Sequence, residues 1–162
     1  MTSFNPDELF AIAERIERNG ADFYKEAARR VSDPKLAGRL NELAAMELDH
    51  ERTFSGLRST LTARERQPAV FDPEDQTVLY LQAIADGNVF DISSSPDDFF
   101  NPSTTPRDIF SYALDREKES IVFYAGMKNF LRSEENKRRV DAIIKEEISH
   151  IVQITREMAA LD

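Results

Sequence analysis

The 162-residue chain contains no cysteine and only two histidines. The lack of cysteine excludes disulfides, thiolate metal ligands and a cysteine nucleophile. It also fits a reducing compartment, and we expect a cytoplasmic protein. The first residues have neither the basic nor the apolar region of a signal peptide.

Long apolar runs and clusters of basic residues are also absent. No run reaches the ~18 apolar residues that a membrane span requires. Lys and Arg are scattered, and the formal net charge of −9 would repel the phosphates of nucleic acid. We therefore expect neither a membrane nor a nucleic acid as partner, and the length suits a single domain, 1–162.

Four long segments have a helical period, and three of them begin with a proline behind a polar residue, as helices often do. The predicted helices cover residues 6–31, 34–61, 106–131 and 134–161. Short connections join the first two and the last two, which predicts two antiparallel hairpins, 6–61 and 106–161. The sequence thus predicts an all-α four-helix bundle.

The connection between the hairpins, 63–104, is long enough to cross the length of a bundle. Asp72 and Pro73 open a predicted short helix that runs to about Ala85, and the remainder is predicted to be loop. The segment is rich in apolar residues, among them Leu81, Phe99 and Phe100. Such residues should pack on the bundle or on a second subunit.

Both histidines lie in the same local context, 100 residues apart. His50 follows Glu47 by three positions, and His150 follows Glu147 in the same way. Thirty residues before each of these glutamates stands another, Glu17 or Glu117. Other residues recur at this spacing as well: Phe10, Ala13, Glu17, Phe23, Tyr24, Arg39, Glu47 and His50 are repeated as Phe110, Ala113, Glu117, Phe123, Tyr124, Arg139, Glu147 and His150. An internal duplication with approximate two-fold symmetry is expected.

A helical glutamate usually faces solvent, but each of these four interrupts a stripe of apolar residues at helical spacing. The stripes are Phe10, Ala13, Tyr24, Ala28 and Val31 in the first helix; Leu36, Leu40, Leu43, Phe54 and Leu61 in the second; Phe110, Ala113, Leu114, Ile121 and Tyr124 in the third; and Val140, Ile143, Ile154 and Leu161 in the fourth. The four glutamates and both histidines are therefore predicted to be buried.

Buried carboxylates need a compensating charge. One alternative is an ion pair with Arg or Lys, but no basic residue lies three or four positions from any of the four glutamates. Two divalent cations would balance four carboxylates, with neutral imidazoles completing the coordination; the other alternative is a pair of ordinary core histidines. A donor set rich in oxygen and free of sulfur favours iron or manganese over structural zinc.

On these residues the chain resembles the rubrerythrin branch of the ferritin-like superfamily. The resemblance covers nearly the whole chain and rests on the segments 16–24 and 117–124 and on the two Glu-x-x-His motifs. One glutamate from each of two helices and Glu-x-x-His from each of the other two is the known arrangement of ferritin-like di-iron proteins, so we match it rather than derive it.

The resemblance implies a ferritin-like bundle that binds two iron ions, with manganese or zinc as alternative metals. Glu47 and Glu147 would bridge the two ions, Glu17 and Glu117 would be terminal ligands, and His50 and His150 would each bind one ion. The four glutamates would be the catalytic residues of a redox centre that reduces hydrogen peroxide or dioxygen. Other functions that stay open are ferritin-like iron oxidation and storage, and a structural metal-binding bundle.

Two departures from rubrerythrins concern electron supply and an additional carboxylate. Without cysteine the chain has no rubredoxin domain, so an external electron donor, such as a rubredoxin-type or flavin protein, is expected. Ser120 and Leu114 stand one turn from Glu117, where rubrerythrins have a further carboxylate. Glu14 is a candidate replacement from the other half, although its position at the edge of its stripe also suits a solvated residue.

Three further residues are candidates beside the predicted ligands. Tyr24 and Tyr124 lie two turns beyond the first glutamate of each half, where they either bond a ligand carboxylate or are ordinary core tyrosines. Gly20, one turn from Glu17, leaves space for an oxidant channel or for close helix packing. A homodimer through the apolar crossover is also expected.

Overall fold

The computed structural model describes residues 5–67, 79–81, 83 and 96–161. Within these residues, both bounds are described for four long helices and one short helix, and there is no strand. They are α1 (Pro6–Arg30), α2 (Pro34–Ser59), α3 (Pro96–Phe99), α4 (Pro106–Lys128) and α5 (Glu134–Ala159). The predicted all-α bundle is confirmed, and each long helix ends a few residues before its predicted limit.

The two hairpins begin with the same capping arrangement. The Asn5 side chain accepts a hydrogen bond from the backbone N–H of Glu8 at 3.0 Å, and the Glu8 carboxylate accepts one from the N–H of Asn5 at 3.1 Å. Thr105 and Asp108 form the equivalent pair at 3.2 and 2.8 Å. These capping boxes satisfy backbone donors that a helix leaves free, so they fix where α1 and α4 begin.

Two apolar clusters fill the bundle, one toward each end. The first apolar cluster contains Leu9, Phe10, Ala13, Ile16, Phe54, Leu57, Leu61, Leu81, Phe123, Tyr124, Met127, Phe130, Leu131, Val140 and Ile143. The second contains Phe23, Tyr24, Ala27, Ala28, Leu36, Leu40, Leu43, Ala44, Phe100, Ile109, Phe110, Ala113 and Ile154. The start of α1 shares a cluster with the ends of α2 and α4, so α1 is antiparallel to both.

Because α2 and α4 run parallel, the crossover must pass from one end of the bundle to the other. Its described residues fit this path, since Leu81 belongs to the first apolar cluster and Phe100 to the second. The predicted short helix from Asp72 to Ala85 falls mostly outside the described residues, of which 79–81 and 83 are helical. None of the helices in the described residues is long and apolar enough to cross a membrane.

Two details of the sequence prediction are wrong. Residues 96–99 were predicted as loop but form α3, a single helical turn. At its end, the rings of Phe99 and Phe100 both pack against the ring of Phe23, with centroids 5.5 and 5.4 Å away. Leu161 was predicted in the core but is 40% exposed, because α5 ends at Ala159.

Candidate metal centre

The six predicted ligand residues lie together in the middle of the bundle, between the two apolar clusters. Helix α1 contributes Glu17, α2 contributes Glu47 and His50, α4 contributes Glu117, and α5 contributes Glu147 and His150. None of the six is more than 5% exposed. Each helix thus places its polar residues at the point where its apolar stripe is interrupted.

Their donor atoms form two overlapping groups. One group consists of Glu17, Glu47, His50 and Glu147, and the other of Glu47, Glu117, Glu147 and His150. Within each group, one oxygen or ring nitrogen from every residue lies within 4.8 Å of the others. Glu47 and Glu147 belong to both groups, so the arrangement is one of two adjacent positions that share two carboxylates.

Both imidazoles direct Nδ1 toward the carboxylates. His50 Nδ1 lies 2.9 Å from Oε1 of Glu147 and 3.4 Å from Oε2 of Glu17. His150 Nδ1 lies 3.0 Å from Oε2 of Glu147 and 3.2 Å from Oε1 of Glu47. The two rings are 5.5 Å apart and nearly parallel. Glu147 therefore contacts both histidines, one with each of its oxygens.

Many of the buried oxygen and nitrogen atoms of the centre have no hydrogen-bond partner in the protein itself. Within the described residues, the atoms without a hydrogen-bond partner include Oε2 of Glu17, Oε1 of Glu47, both carboxylate oxygens of Glu147, and Nδ1 of both histidines. Leaving a buried polar group unsatisfied costs about 1–3 kcal/mol. The convergence of six such atoms on one space fits two divalent cations, which would bind them all.

In the described part of the chain, the four glutamates of the centre are paired with histidine and not with lysine or arginine. Among the described residues, the ion pairs of the four glutamates involve only the two histidines. Although burial opposes the charged form, contacts with Glu147 and Glu17 raise the pKa of His50 to about 11. Contacts with Glu117, Glu147 and Glu47 likewise raise the pKa of His150 well above its usual value. The carboxylates thus favour the protonated form of both imidazoles in the metal-free centre, and a bound cation would displace these protons.

Burial and neighbouring charges shift the pKa values of the carboxylates in different directions. Burial, together with repulsion from Glu147, raises the pKa of Glu117 to about 8. Burial and the neighbouring carboxylates also raise the pKa of Glu47. Burial and the charge of Glu17 would also raise the pKa of Glu147. Its contacts with the two imidazoles outweigh them and hold that pKa below the usual range. Of these three carboxylates, Glu147 is therefore the one whose surroundings favour the ionised form.

The two tyrosines hydrogen-bond across the duplication to Glu17 and Glu117, the glutamates that each belong to only one donor group. The buried Tyr24 hydroxyl donates to Oε1 of Glu117, and the buried Tyr124 hydroxyl donates to Oε1 of Glu17. Burial and the nearby carboxylates raise both tyrosine pKa values well above normal, so the hydroxyls keep their protons. Each of these two glutamates therefore has one oxygen held by a tyrosine and the other directed toward a histidine.

Gly20 and Glu14 have local roles that the sequence left open. A Cβ atom at Gly20 would lie 2.7 Å from Oε2 of Glu47, so the space that the glycine leaves is taken by the Glu47 carboxylate. Glu14 belongs to neither group of ligand atoms. Its Oε2 lies 3.5 Å from Nη1 of Arg58 on α2, which directs this carboxylate to an ion pair between helices.

Sequence reasoning missed Glu146. Its Oε2 lies 2.9 Å from Nε2 of His50, on the side of the ring away from the carboxylate cluster. Glu146 is 60% exposed at its side chain and lies outside the apolar stripe of α5, so helical periodicity alone gives no sign of it. The internal repeat gives no sign of it either, because its counterpart is Met46.

Comparison with known proteins agrees with the fold. The family model described as Rubrerythrin matches residues 8–158, and no curated protein matches. A candidate ferritin-like diiron-carboxylate protein from Thermotoga maritima has 18% sequence identity and a TM-score of 0.72, over 98% of this chain and 97% of that one.

Two structures of KatB, a manganese catalase from Anabaena, each have 16% identity and a TM-score of 0.65, over 99% of this chain and 75% of theirs. At these identities the structural matches establish the fold, and the family match covers nearly the whole chain. The chain therefore belongs to the rubrerythrin family.

Proposed function

We propose that this protein is a di-iron carboxylate redox protein that reduces hydrogen peroxide or dioxygen with electrons from an external donor. The observation that carries the proposal is the pair of overlapping donor groups that share Glu47 and Glu147. Glu17 and His50 would complete the position of one ion, and Glu117 and His150 that of the other. Adjacent ions with common carboxylate ligands suit a reaction that needs two electrons at once.

The donor set supports iron as the metal, because carboxylate oxygens and imidazole nitrogens without sulfur suit first-row ions such as iron and manganese. Manganese is the alternative, because a manganese catalase has a similar fold. When bound, two ferrous ions supply the two electrons that, with two protons, convert peroxide to two waters or dioxygen to peroxide. We propose iron for this chain and take manganese as an outcome of the metal analysis below.

The residues of the chain prepare the site for this chemistry in two ways. The apolar clusters above and below exclude water, which strengthens electrostatic interactions inside. The Tyr24 and Tyr124 hydroxyls orient the terminal carboxylates. Since the chain has no cysteine, electrons would come from a separate donor, for which we propose a cytoplasmic rubredoxin-type or flavin protein. The homodimer remains a prediction.

Metal content is the first test. The protein is purified without chelators, loaded anaerobically with ferrous iron, and analysed by plasma mass spectrometry. We expect about two iron ions per chain, as the two donor groups require, and loss of iron in Glu47→Ala. Glu42→Ala, at an exposed glutamate on the same helix, is the matched control. A chain that binds no metal, or one zinc that iron does not replace, would overturn the proposal.

Kinetics then separate the oxidants. The diferrous protein is mixed with peroxide or with dioxygen in a stopped-flow instrument, and the appearance of ferric absorbance is followed. We expect at least one oxidant to react much faster with the protein than with free ferrous iron in the same buffer. Oxidation no faster than that of free iron would reject a redox enzyme and leave a structural metal site.

A further inference from the structure

The two halves of the centre support their histidines differently. His50 Nε2 lies 2.9 Å from a carboxylate oxygen of Glu146. His150 Nε2 is buried and, among the described residues, has no hydrogen-bond partner. The repeat explains the difference, because the position equivalent to Glu146 is Met46. Met46 is half-buried and packs against the second apolar cluster, so its thioether is part of the apolar surroundings.

The second nitrogen of a metal-binding imidazole affects how well the first one binds. In both histidines Nδ1 faces the carboxylates, which leaves Nε2 as the nitrogen that carries the proton when a metal is bound. A carboxylate that accepts this N–H fixes the tautomer and the ring orientation, and it increases the basicity of the coordinating nitrogen. His50 has such an acceptor, whereas His150 has none in the described part of the chain.

Glu146 is well placed for this role and poorly placed for a structural one. Its side chain is 60% exposed, so it contributes little to the apolar core. Its contact with His50 joins α5 to α2 across the bundle, next to the shared ligand Glu147. The contact is therefore directed at the metal position that contains Glu17 and His50 and at no other described part of the centre.

We propose that Glu146 is a positioning residue for His50 and makes the two metal positions unequal, so that the Glu17/His50 position binds its ion more tightly than the Glu117/His150 position. This inference rests on the proposed dinuclear site. Its consequence is ordered loading, in which the first ion enters beside His50 and the second completes the pair beside His150.

The test measures each position separately with cobalt(II), whose visible absorption reports its ligands. Glu117→Ala leaves the donor group around His50, and Glu17→Ala leaves the group around His150. Glu146→Ala is added to each, and the dissociation constant for Co²⁺ is measured by competition with a chelator. We expect Glu146→Ala to weaken binding about 10–100-fold in the first background and to change it little in the second.

Two further variants distinguish positioning from structure. Glu146→Gln keeps an oxygen that accepts the Nε2–H bond, so it should restore much of the affinity that Glu146→Ala loses. Met46→Glu offers His150 the acceptor that it lacks, so it should tighten binding at the His150 position in the Glu17→Ala background. Glu42→Ala, at a comparably exposed glutamate, should leave both dissociation constants unchanged.

The results separate this inference from the proposed function. If Glu146→Ala weakens both positions equally or neither, Glu146 does not position His50, while the dinuclear site survives. If the unmodified protein binds no cobalt or iron at all, the dinuclear site fails first. Should either single-position variant fail to fold, titration of the unmodified chain decides: two steps with the tighter one lost in Glu146→Ala support the inference, and a single step overturns it.

Discussion

The two hairpins are held together by different chemistry at equivalent positions. In the first, Arg58 of α2 pairs with Asp7 and Glu14 of α1 at 3.3 and 3.5 Å, and Arg18 pairs with Glu51. The second hairpin has different residues at the equivalent positions: Arg107, Leu114, Lys118, Ile151 and Met158. Of these, Leu114 and Met158 pack against the second apolar cluster. The ion pair between Glu14 and Arg58 in one half thus corresponds to two residues that pack on the core in the other.

This difference shows which parts of the hairpin the fold leaves free. Partly exposed ion pairs contribute about 0–1 kcal/mol each, so apolar residues can replace them at little cost. At the centre the halves have the same glutamates, histidines and tyrosines at the same spacing. There the residue type is set by the proposed ligand atoms, which must converge, whereas the periphery needs only to cover the core.

The largest effect should come from removing a carboxylate that both halves share. Glu147 contacts both histidines, whereas Glu117 belongs to one donor group. We expect Glu147→Ala to lose both iron ions and Glu117→Ala to lose one, because only the former removes a donor from each position. Metal content after anaerobic loading measures this, with circular dichroism to check the fold. Equal losses in the two variants would contradict the division into shared and terminal ligands.

Much of this site follows from the sequence, because its residues recur at fixed positions on strongly periodic helices. Buried glutamates in otherwise apolar stripes, such as Glu17 after Phe10 and Ala13, have few explanations other than a metal. The family resemblance then supplied their roles as bridging or terminal ligands, which the spacing alone does not give. The helix starts were also predictable, since proline and capping residues act locally.

The sequence did not reveal contacts that depend on how one helix is placed beside another. Glu146 meets His50 across 96 positions, and its own helix turns it toward solvent. The cross-half bonds of Tyr24 and Tyr124 depend in the same way on the register of α1 against α4. The turn of α3 was missed because the packing of Phe99 on Phe23, a tertiary contact, stabilises it.

The hydrogen bonds of Tyr24 and Tyr124 should contribute more to the free energy of unfolding than the hydroxyl of an ordinary core tyrosine does. In Tyr24→Phe the buried Oε1 of Glu117 loses its donor, and in Tyr124→Phe the same happens to Glu17. We expect each change to lower the free energy of unfolding by about 1–3 kcal/mol, the cost of an unsatisfied buried group. Urea unfolding of the metal-free proteins measures this.

Tyr112→Phe is the matched control for the tyrosine pair. Tyr112 is half-buried, and its ring packs against Phe23 and Phe99, with ring centroids 4.8 and 4.4 Å away. Its hydroxyl should contribute less than about 0.5 kcal/mol. If Tyr24→Phe and Tyr124→Phe are as mild as this control, the terminal carboxylates do not depend on the cross-half hydrogen bonds.

A smaller effect, opposite in sign for stability and for metal binding, is expected at Gly20. Alanine in place of a helical glycine usually stabilises by about 0.5–1 kcal/mol, and Gly38→Ala should show this because nothing lies within 4 Å of its Cβ. Gly20→Ala should gain less, since its Cβ displaces the Glu47 carboxylate, and it should weaken Co²⁺ binding. The repeat has Ser120 here, whose hydroxyl bonds to the Arg116 carbonyl at 3.0 Å.

Urea unfolding and Co²⁺ titration of the same two variants test the prediction at Gly20. The informative result is a Gly20→Ala protein that is at least as stable as the unmodified chain yet binds metal less tightly than Gly38→Ala. Unchanged Co²⁺ affinity in Gly20→Ala would mean that the Glu47 carboxylate has other room, and that the glycine serves helix packing alone.

The smallest effect should come from converting the periphery of the first hairpin to that of the second. The double variant Glu14→Leu, Arg58→Met copies Leu114 and Met158, and it should change the free energy of unfolding by less than about 1 kcal/mol at neutral pH. Metal content should be unchanged, because Glu14 belongs to neither donor group. A loss of metal in this variant would give Glu14 a role in the centre.

The pH dependence of this small difference identifies its source. Burial raises the pKa of Asp7, but hydrogen bonds and charges from Arg58 and Arg66 outweigh burial and hold that pKa below its usual value of 3.8. A carboxylate whose pKa is lower in the folded state stabilises the fold above its unfolded pKa and loses that contribution as the pH falls through the folded value. The double variant removes one of the two arginines, so its loss of stability should be present at pH ~7 and shrink below pH ~4.

Salt should reduce this loss of stability as well, because the pair of Arg58 and Asp7 is partly exposed. Urea unfolding at both pH values, in low and high salt, measures the change. A deficit that persists in acid would instead assign it to the packing of the arginine side chain between α1 and α2.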